Sequence, residues 1–311
     1  MDRFRNVLVG VDLAGREHLI SGRGLDPFSG AALDKARWVA RRNRARLHLL
    51  STLEIDAHAE SLICRDDAAG RPNVLAKARE RLESLAAPCR EDGLEVTTTV
   101  GFGKASTALL ADIAENGRDL VVVGHRGQGA VAARLMGSTV IKLVSRAAIP
   151  VWVARDGPDS EFDVVLAPVD FDDTAADILR LAEAFAVDRG ARLHVLHAVD
   201  YSAEEVLRAG DASEEVIAEY HAQREKDARE RFEALLAREL KAPGAAERHV
   251  VDGSAPKAIH DLARRLGADL IVMGTHSRAG LGGTILGSTA ERVLPHIDTS
   301  LLVLRPVAAA E

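Results

Sequence analysis

Cysteine is nearly absent from this chain of 311 residues. Its two copies, Cys64 and Cys89, fall in segments that read as a loop and a helix end, with no CxxC and no Cys/His spacing. That argues against a disulfide framework and a cysteine-based zinc site, and leaves two free thiols in a reducing compartment. Aromatic residues make up 4% of the chain, too few for a pocket walled by stacked rings. No apolar run approaches the ~18 residues a membrane span needs. The segment Met1–Asn6 leads into a strand without a secretory core, so a cytoplasmic protein is expected. Positive charge is in deficit: 40 Lys and Arg against 47 Asp and Glu give −7. Neither nucleic acid nor an anionic membrane is therefore an expected partner. Catalytic signatures are missing as well. There is no G-x-x-x-x-G-K-[ST] loop, no G-x-S-x-G elbow, no G-x-G-x-x-G after the first strand and no H-E-x-x-H. His48 and His194, on matched strands, read as structural groups rather than metal ligands. The expectation is no catalytic residue and no protein metal ligand.

What the chain does have is a glycine motif written twice. Gly124-His125-Arg126-Gly127 is followed after nine residues by Gly137-Ser138-Thr139. Gly274-Thr275-His276-Ser277 is followed after nine residues by Gly287-Ser288-Thr289. Each copy sits between an apolar strand-like run and a helix-like segment. A glycine loop there lets backbone N–H groups face an anion with no Cβ in the way.

The repeat extends over the whole chain. A shift of 150 residues brings Gly103 onto Gly253, Asp119 onto Asp269 and Gly124 onto Gly274. Upstream the shift becomes 146, at Arg46-Leu47-His48 and Arg192-Leu193-His194, and at the start 158, at Asp12 and Asp170. The pattern predicts strands over 6–11, 46–52, 95–100, 119–124 and 150–154, with helices over 29–44, 73–92, 104–117 and 138–147. In the second half it predicts strands over 163–169, 192–199, 247–251, 269–274 and 300–304, with helices over 173–189, 214–240, 255–267 and 288–296. Strands this uniformly Val/Leu-rich are buried on both faces of a parallel sheet. The expected fold is α/β: two tandem doubly wound, Rossmann-like parallel-sheet domains, residues 1–155 and 161–311, joined at Asp156-Gly157-Pro158-Asp159-Ser160.

In such a sheet a ligand sits beyond the carboxyl ends of the strands, where strand order reverses. Asp12 and Asp170 end first strands, and Gly124 and Gly274 end fourth strands, so each pair should be neighbours. A carboxylate there suits a ribose diol, and the glycine loop suits phosphates. Each piece also has a plainer reading. Asp170 could cap the next helix. Ser288 with Glu291 forms an S-x-x-E capping box. The insertion after Asp12, with Gly15, Gly22, Gly24, Pro27 and Gly30, reads as a lid, a plug or merely a tolerated surface loop.

These motifs resemble the universal stress protein family in its tandem form, over nearly the whole chain. ATP-binding members carry Gly-x-x-Gly, nine residues, then Gly-Ser or Gly-Thr, plus an aspartate ending the first strand. Asp12, Gly124, Gly127, Gly137 and Ser138 match that pattern in full; Asp170, Gly274, Gly287 and Ser288 match it with Ser277 in place of the second glycine. The resemblance implies adenine against backbone at Thr52 and Ala198, ribose on Asp12 or Asp170, and phosphates on the glycine loop and helix-opening serine. It also implies Mg²⁺ bridging phosphate oxygens and fifth strands joined in an internal pseudo-dimer, with further homodimerisation open. The function it implies is that of an ATP-binding stress regulator with at most slow hydrolysis. Ser277 and the insertion keep a second reading in view: a nucleotide-free scaffold that engages a protein or apolar ligand. The intact motif favours the first half as the nucleotide site.

Overall fold

A computed structural model describes residues 3–13, 25–125, 137–155, 162–275, 287–296 and 299–305. The chain forms two compact units, the first reaching to residue 161 and the second starting at Phe162.

In the first unit the strands are β1 (Asn6–Gly10), β2 (Arg46–Leu53), β3 (Val96–Phe102), β4 (Leu120–Gly124) and β5 (Val151–Ala154). They lie in the order β3-β2-β1-β4-β5 and are all parallel. Val7–Gly10 of β1 pairs with Leu47–Leu50 on one side and with Leu120–Val123 on the other. Val7, Leu8, Val9 and Leu120–Val122 are fully buried, as strands covered by helices on both faces must be. The helices are α1 (Pro27–Asn43), α2 (Ala57–Ala68), α3 (Val74–Glu91), α4 (Ala105–Asn116) and α5 (Ser138–Arg146). Helix α1 opens on Asp26, whose carboxylate accepts the N–H groups of Phe28 and Ser29 at 3.1 Å each, with Pro27 in the first turn.

The second unit repeats the plan with β6 (Val164–Pro168), β7 (Arg192–Val199), β8 (Glu247–Asp252) and β9 (Leu270–Gly274), ordered β9-β6-β7-β8. Its helices are α6 (Ala175–Arg189), α7 (Glu204–Ala209), α8 (Glu214–Glu239), α9 (Ala255–Leu266) and α10 (Ser288–Val293), the last continuing as a 3₁₀ turn to His296. The final strand, β10 (Ser300–Leu304), leaves its sequence half: Ser300–Val303 belong to the first unit. There it runs antiparallel to β5, Leu301 opposite Val153, Leu302 opposite Trp152 and Val303 opposite Val151.

Matched residues of the repeat do matched work. Asp119 accepts the N–H groups of Arg5 and Asn6 (2.5 and 3.0 Å), and Asp269 accepts those of Asp163 and Val164 (2.9 and 3.0 Å). Each carboxylate ties the start of a first strand to its neighbouring fourth strand. Gly103 and Gly253 both take left-handed backbone, φ 85° and 101°, at the turn out of the third strand.

All ten strands fall within two residues of their expected bounds. Two helices were not expected, α2 and α7. Neither buries a single residue, so neither carries the apolar stripe from which a helix is read. One consequence is a correction for Cys64, which lies exposed within α2 rather than in a loop; Cys89 is near the end of α3, as expected, and is buried. Among the described residues no helix is long and apolar enough to cross a membrane.

Candidate functional site

The carboxyl ends of first and fourth strands are neighbours in both units, because β1 pairs with β4 and β6 with β9. Asp12 follows β1 and its N–H donates to the Ser29 hydroxyl of α1 at 3.1 Å. Asp170 follows β6 and accepts the N–H of Phe171 at 2.9 Å. Neither is a helix cap. Asp26 caps α1, and Thr174 stands at the cap of α6, held by Asp172 through its N–H (2.9 Å) and hydroxyl (2.6 Å). The capping reading of Asp170 is thereby removed.

In the second unit a cavity of ≈ 320 Å³ opens over the ends of β6 and β7. Asp170, Phe171 and Asp172 line it from the β6 side, and His197, Ala198, Val199 and Asp200 from β7. Helix α8 supplies Arg224, Asp227, Ala228 and Arg231. The expected ribose carboxylate, Asp170, and the expected adenine contact, Ala198, therefore share one cavity of the size small-molecule sites have. The Arg231 guanidinium lies 4.1 Å from the centre of the Phe171 ring, and that ring lies 4.3 Å from His197. His197 Nδ1–H donates to the Val169 carbonyl at 3.1 Å. Burial pushes the His197 pKa below its ordinary 6.5, against the Val169 hydrogen bond and with help from Arg231 and Arg224. A neutral imidazole and an aromatic ring thus form one wall, and charged groups form the rest.

The α8 contribution is what sequence reasoning missed. Its signal was present: 224, 227, 228 and 231 have the i, i+3, i+4, i+7 spacing of one helical stripe. The stripe is mostly charged instead of apolar, so it lacks the pattern by which a covered helix face is recognised.

Two of the motif glycines also carry a packing constraint. A Cβ on Gly124 would lie 2.3 Å from the Phe28 carbonyl oxygen and 2.5 Å from its carbon. Gly124 is what lets the first turn of α1 approach β4. A Cβ on Gly274 would meet the Thr174 hydroxyl at 2.8 Å and Ile178 Cδ1 at 3.3 Å, side chains of α6. Gly274, Gly287, Ser288 and Thr289 do not line the cavity. Gly137 and Gly287 are the cap positions of α5 and α10 with no side-chain cap bond, so Ser138 and Ser288 are first helical residues. The capping box expected at Ser288 and Glu291 is absent for that reason. Thr139 and Thr289 follow at half-buried positions in the same first turns. In the first unit Asp12 and Thr52 reach the same edge of the sheet, Val11 N–H bonding to Leu50 O at 2.9 Å, and Thr52 pairs with Gly101. Gly127, Ser277 and the insertion glycines Gly15, Gly22 and Gly24 lie outside the described residues.

Comparison with known proteins agrees with this architecture. The universal stress protein family model matches residues 3–155 and again 161–305. A universal stress protein of Mycolicibacterium smegmatis is 30% identical over 240 residues, 74% of this chain and 76% of its own length. One from Mycobacterium tuberculosis is 32% identical over 199 residues, 61% of this chain and 63% of its own length. Among solved structures, a functionally unknown protein from Pseudomonas aeruginosa PAO1 superposes with TM-score 0.69 at 23% identity, covering 98% of this chain and 94% of that one. A universal stress protein from Archaeoglobus fulgidus gives TM-score 0.64 at 19% identity, covering 96% and 98%. At these identities the structural likeness speaks for the fold alone. The family matches span almost the whole sequence, and the chain belongs to the universal stress protein family with two of its domains in tandem.

Proposed function

We propose that this protein is a stress-response regulator that binds an adenine nucleotide, ATP with Mg²⁺, in its second domain and catalyses at most slow hydrolysis. The observation that carries the reading is the cavity in which Asp170 and Ala198 come together at the ends of adjacent strands. Asp170 accepts hydrogen bonds from the ribose hydroxyls, and the backbone at Ala198 pairs with the adenine edge. Arg224 and Arg231 offset phosphate charge. Four aspartates line the cavity against two arginines, so a bare triphosphate would meet net repulsion. Hard carboxylate oxygens of this kind suit Mg²⁺, which supplies the missing positive charge when bound with the nucleotide.

The domain chosen differs from the one the intact glycine motif favours. In the first domain the α1 backbone packs against Gly124 and Ser29 holds the Asp12 N–H, which brings the helix onto the edge a ligand would use. In the second, the nearest atoms to a Cβ on Gly274 belong to the side chains of Thr174 and Ile178. Regulation rather than turnover follows from the chain's lack of a nucleophile–base motif.

Titration calorimetry of the full chain with ATP and Mg²⁺ tests the reading. One nucleotide per chain is expected, lost in Asp170→Ala, weakened in Arg231→Ala and kept in Asp12→Ala. Absence of heat at millimolar nucleotide, or full binding by Asp170→Ala, overturns it; the first outcome leaves the nucleotide-free scaffold as the standing alternative.

A further inference from the structure

The geometry points to a second, independent site in this protein: a divalent transition-metal site, of the zinc class, formed by His194, Glu247 and His249 on the β7–β8 edge of the second domain. It rests on residues that the nucleotide reading does not use. His194 is four residues before Ala198 on β7, which at a strand rise of ~3.3 Å puts it about 13 Å from the cavity end of that strand.

The strand register makes the cluster. His194 pairs directly with Glu247, and Leu196 with His249, so Glu247 and His249 sit two residues apart on one face of β8. β8 ends the strand order of its unit, and Glu247 on it is exposed to solvent. One ligand atom from each residue lies within 4.8 Å of the others. His194 Nδ1 is 3.0 Å from His249 Nε2 and 3.5 Å from Glu247 Oε2. A tetrahedral ion with bonds of ~2.0–2.2 Å holds its ligand atoms about 3.3 Å apart, between these two spacings. The histidine rings are nearly parallel, 22° apart with centres at 5.3 Å. Two imidazoles and a carboxylate are a donor set that zinc and its neighbours take, with a fourth position for water.

Burial grades outward: His194 is fully buried, His249 half-buried and Glu247 exposed. That is an entry path ending on a fixed ligand. A metal takes up both imidazoles as neutral rings, and Glu247 brings the one negative charge of the set. Binding through Nδ1 places the His194 proton on Nε2, a buried atom without a hydrogen-bond partner. Lack of an outer-shell acceptor costs ~10–100-fold in affinity relative to a site that has one.

The first domain is an internal control. Its counterpart strands set His48 opposite Thr97 and Leu50 opposite Thr99, and His48 Nδ1 bonds to the Thr97 hydroxyl at 2.7 Å. Where one copy meets its buried histidine with threonine, the other surrounds it with two further metal ligands.

The test uses untagged, metal-stripped full-length protein titrated with Zn²⁺ by calorimetry, and with Co²⁺ followed by visible absorption. One zinc per chain and cobalt bands of a low-symmetry four-coordinate site are expected. His249→Ala should abolish both, Glu247→Gln should weaken zinc at least about tenfold, and His48→Ala should leave both unchanged. His194→Ala disturbs a buried position, whereas His249→Ala and Glu247→Gln alter the accessible edge strand, and circular dichroism verifies their folding. Wild-type zinc stoichiometry in folded His249→Ala, or no zinc taken up at millimolar concentration, overturns the assignment.

Discussion

Replacing Gly124 by alanine tests whether this motif glycine is needed for packing. The new Cβ would stand 2.3 Å from the Phe28 carbonyl oxygen, more than 1 Å inside ordinary contact, and the obstacle is backbone. The first turn of α1 cannot move freely, because Asp26 holds the Phe28 and Ser29 N–H groups and Ser29 holds that of Asp12. Overpacking of this kind costs about 1–3 kcal/mol, and disturbing the Asp26 cap adds ~1 kcal/mol. Reduced freedom of the unfolded chain returns roughly 0.4–1 kcal/mol. The net loss is about 1–3.6 kcal/mol, or a fall of roughly 2–14 °C in Tm for a domain of this size. Gly274→Ala instead meets the flexible end of Ile178 and the Thr174 hydroxyl, which must leave Asp172 to turn aside, and should cost about 1 kcal/mol. Both tryptophans of the chain, Trp38 and Trp152, lie in the first unit, with ring centres 6.2 Å apart and edge to face. Urea unfolding followed by tryptophan fluorescence therefore reports on that unit. A Gly124→Ala transition within about 0.5 kcal/mol of wild type, the scatter of neutral surface changes, would refute the packing role.

Three further outcomes follow from the geometry. Asp119→Ala and Asp269→Ala each leave two strand-end N–H groups without their carboxylate and should each cost about 1–3 kcal/mol, read as lower urea midpoints for the two matched variants. Ser288→Ala should change stability by less than about 0.5 kcal/mol, because the cap position is Gly287; a loss near the ~1 kcal/mol of a true cap would contradict this. His197 has its folded-state pKa below 6.5, chiefly through burial. The unfolded chain therefore takes up the proton first as pH falls, so this stability is complete above 6.5 and is lost below it, toward the folded pKa. Urea midpoints by circular dichroism at about pH 7.5 and 5.5 should differ less in His197→Gln than in wild type; an unchanged difference would exclude His197 as a source.

The strands were legible because nothing about them depended on partners. Runs such as Leu120–Val123 are apolar at every position, and only a strand covered on both faces needs that. Helices were legible to the extent that they bury a stripe. Ala31, Ala32, Leu33, Ala36, Val39 and Ala40 mark α1, whereas α2 buries nothing and left no mark. The cavity was half legible. Asp170 and Ala198 follow from strand ends, and strand ends follow from the repeat. Arg224 and Arg231 lie some thirty residues beyond Ala198 along the chain, on a helix whose charged stripe has the same composition whether it faces water or a ligand. Only the packing of α8 over the ends of β6 and β7 distinguishes the two.

Glycine is the least specific of these signals, and the tandem repeat shows why. Gly124 and Gly274 occupy one motif position, and a motif argument gives them one meaning. Their neighbours differ: a helix backbone against Gly124, side chains against Gly274. Absence of a Cβ records that something comes close, without recording what. A carboxylate or guanidinium carries charge that must be matched or solvated, so its placement narrows the partner much further. By that measure the second domain, with Asp170, Arg224 and Arg231 facing one cavity, is the better supported site although its glycine motif is the imperfect copy. The fold-bearing pairs Asp119/Asp269 and Gly103/Gly253 stay in step, and so does Asp12/Asp170, so the copies differ less in the motif carboxylate than in its surroundings, with Thr52 against Ala198 and Gly127 against Ser277.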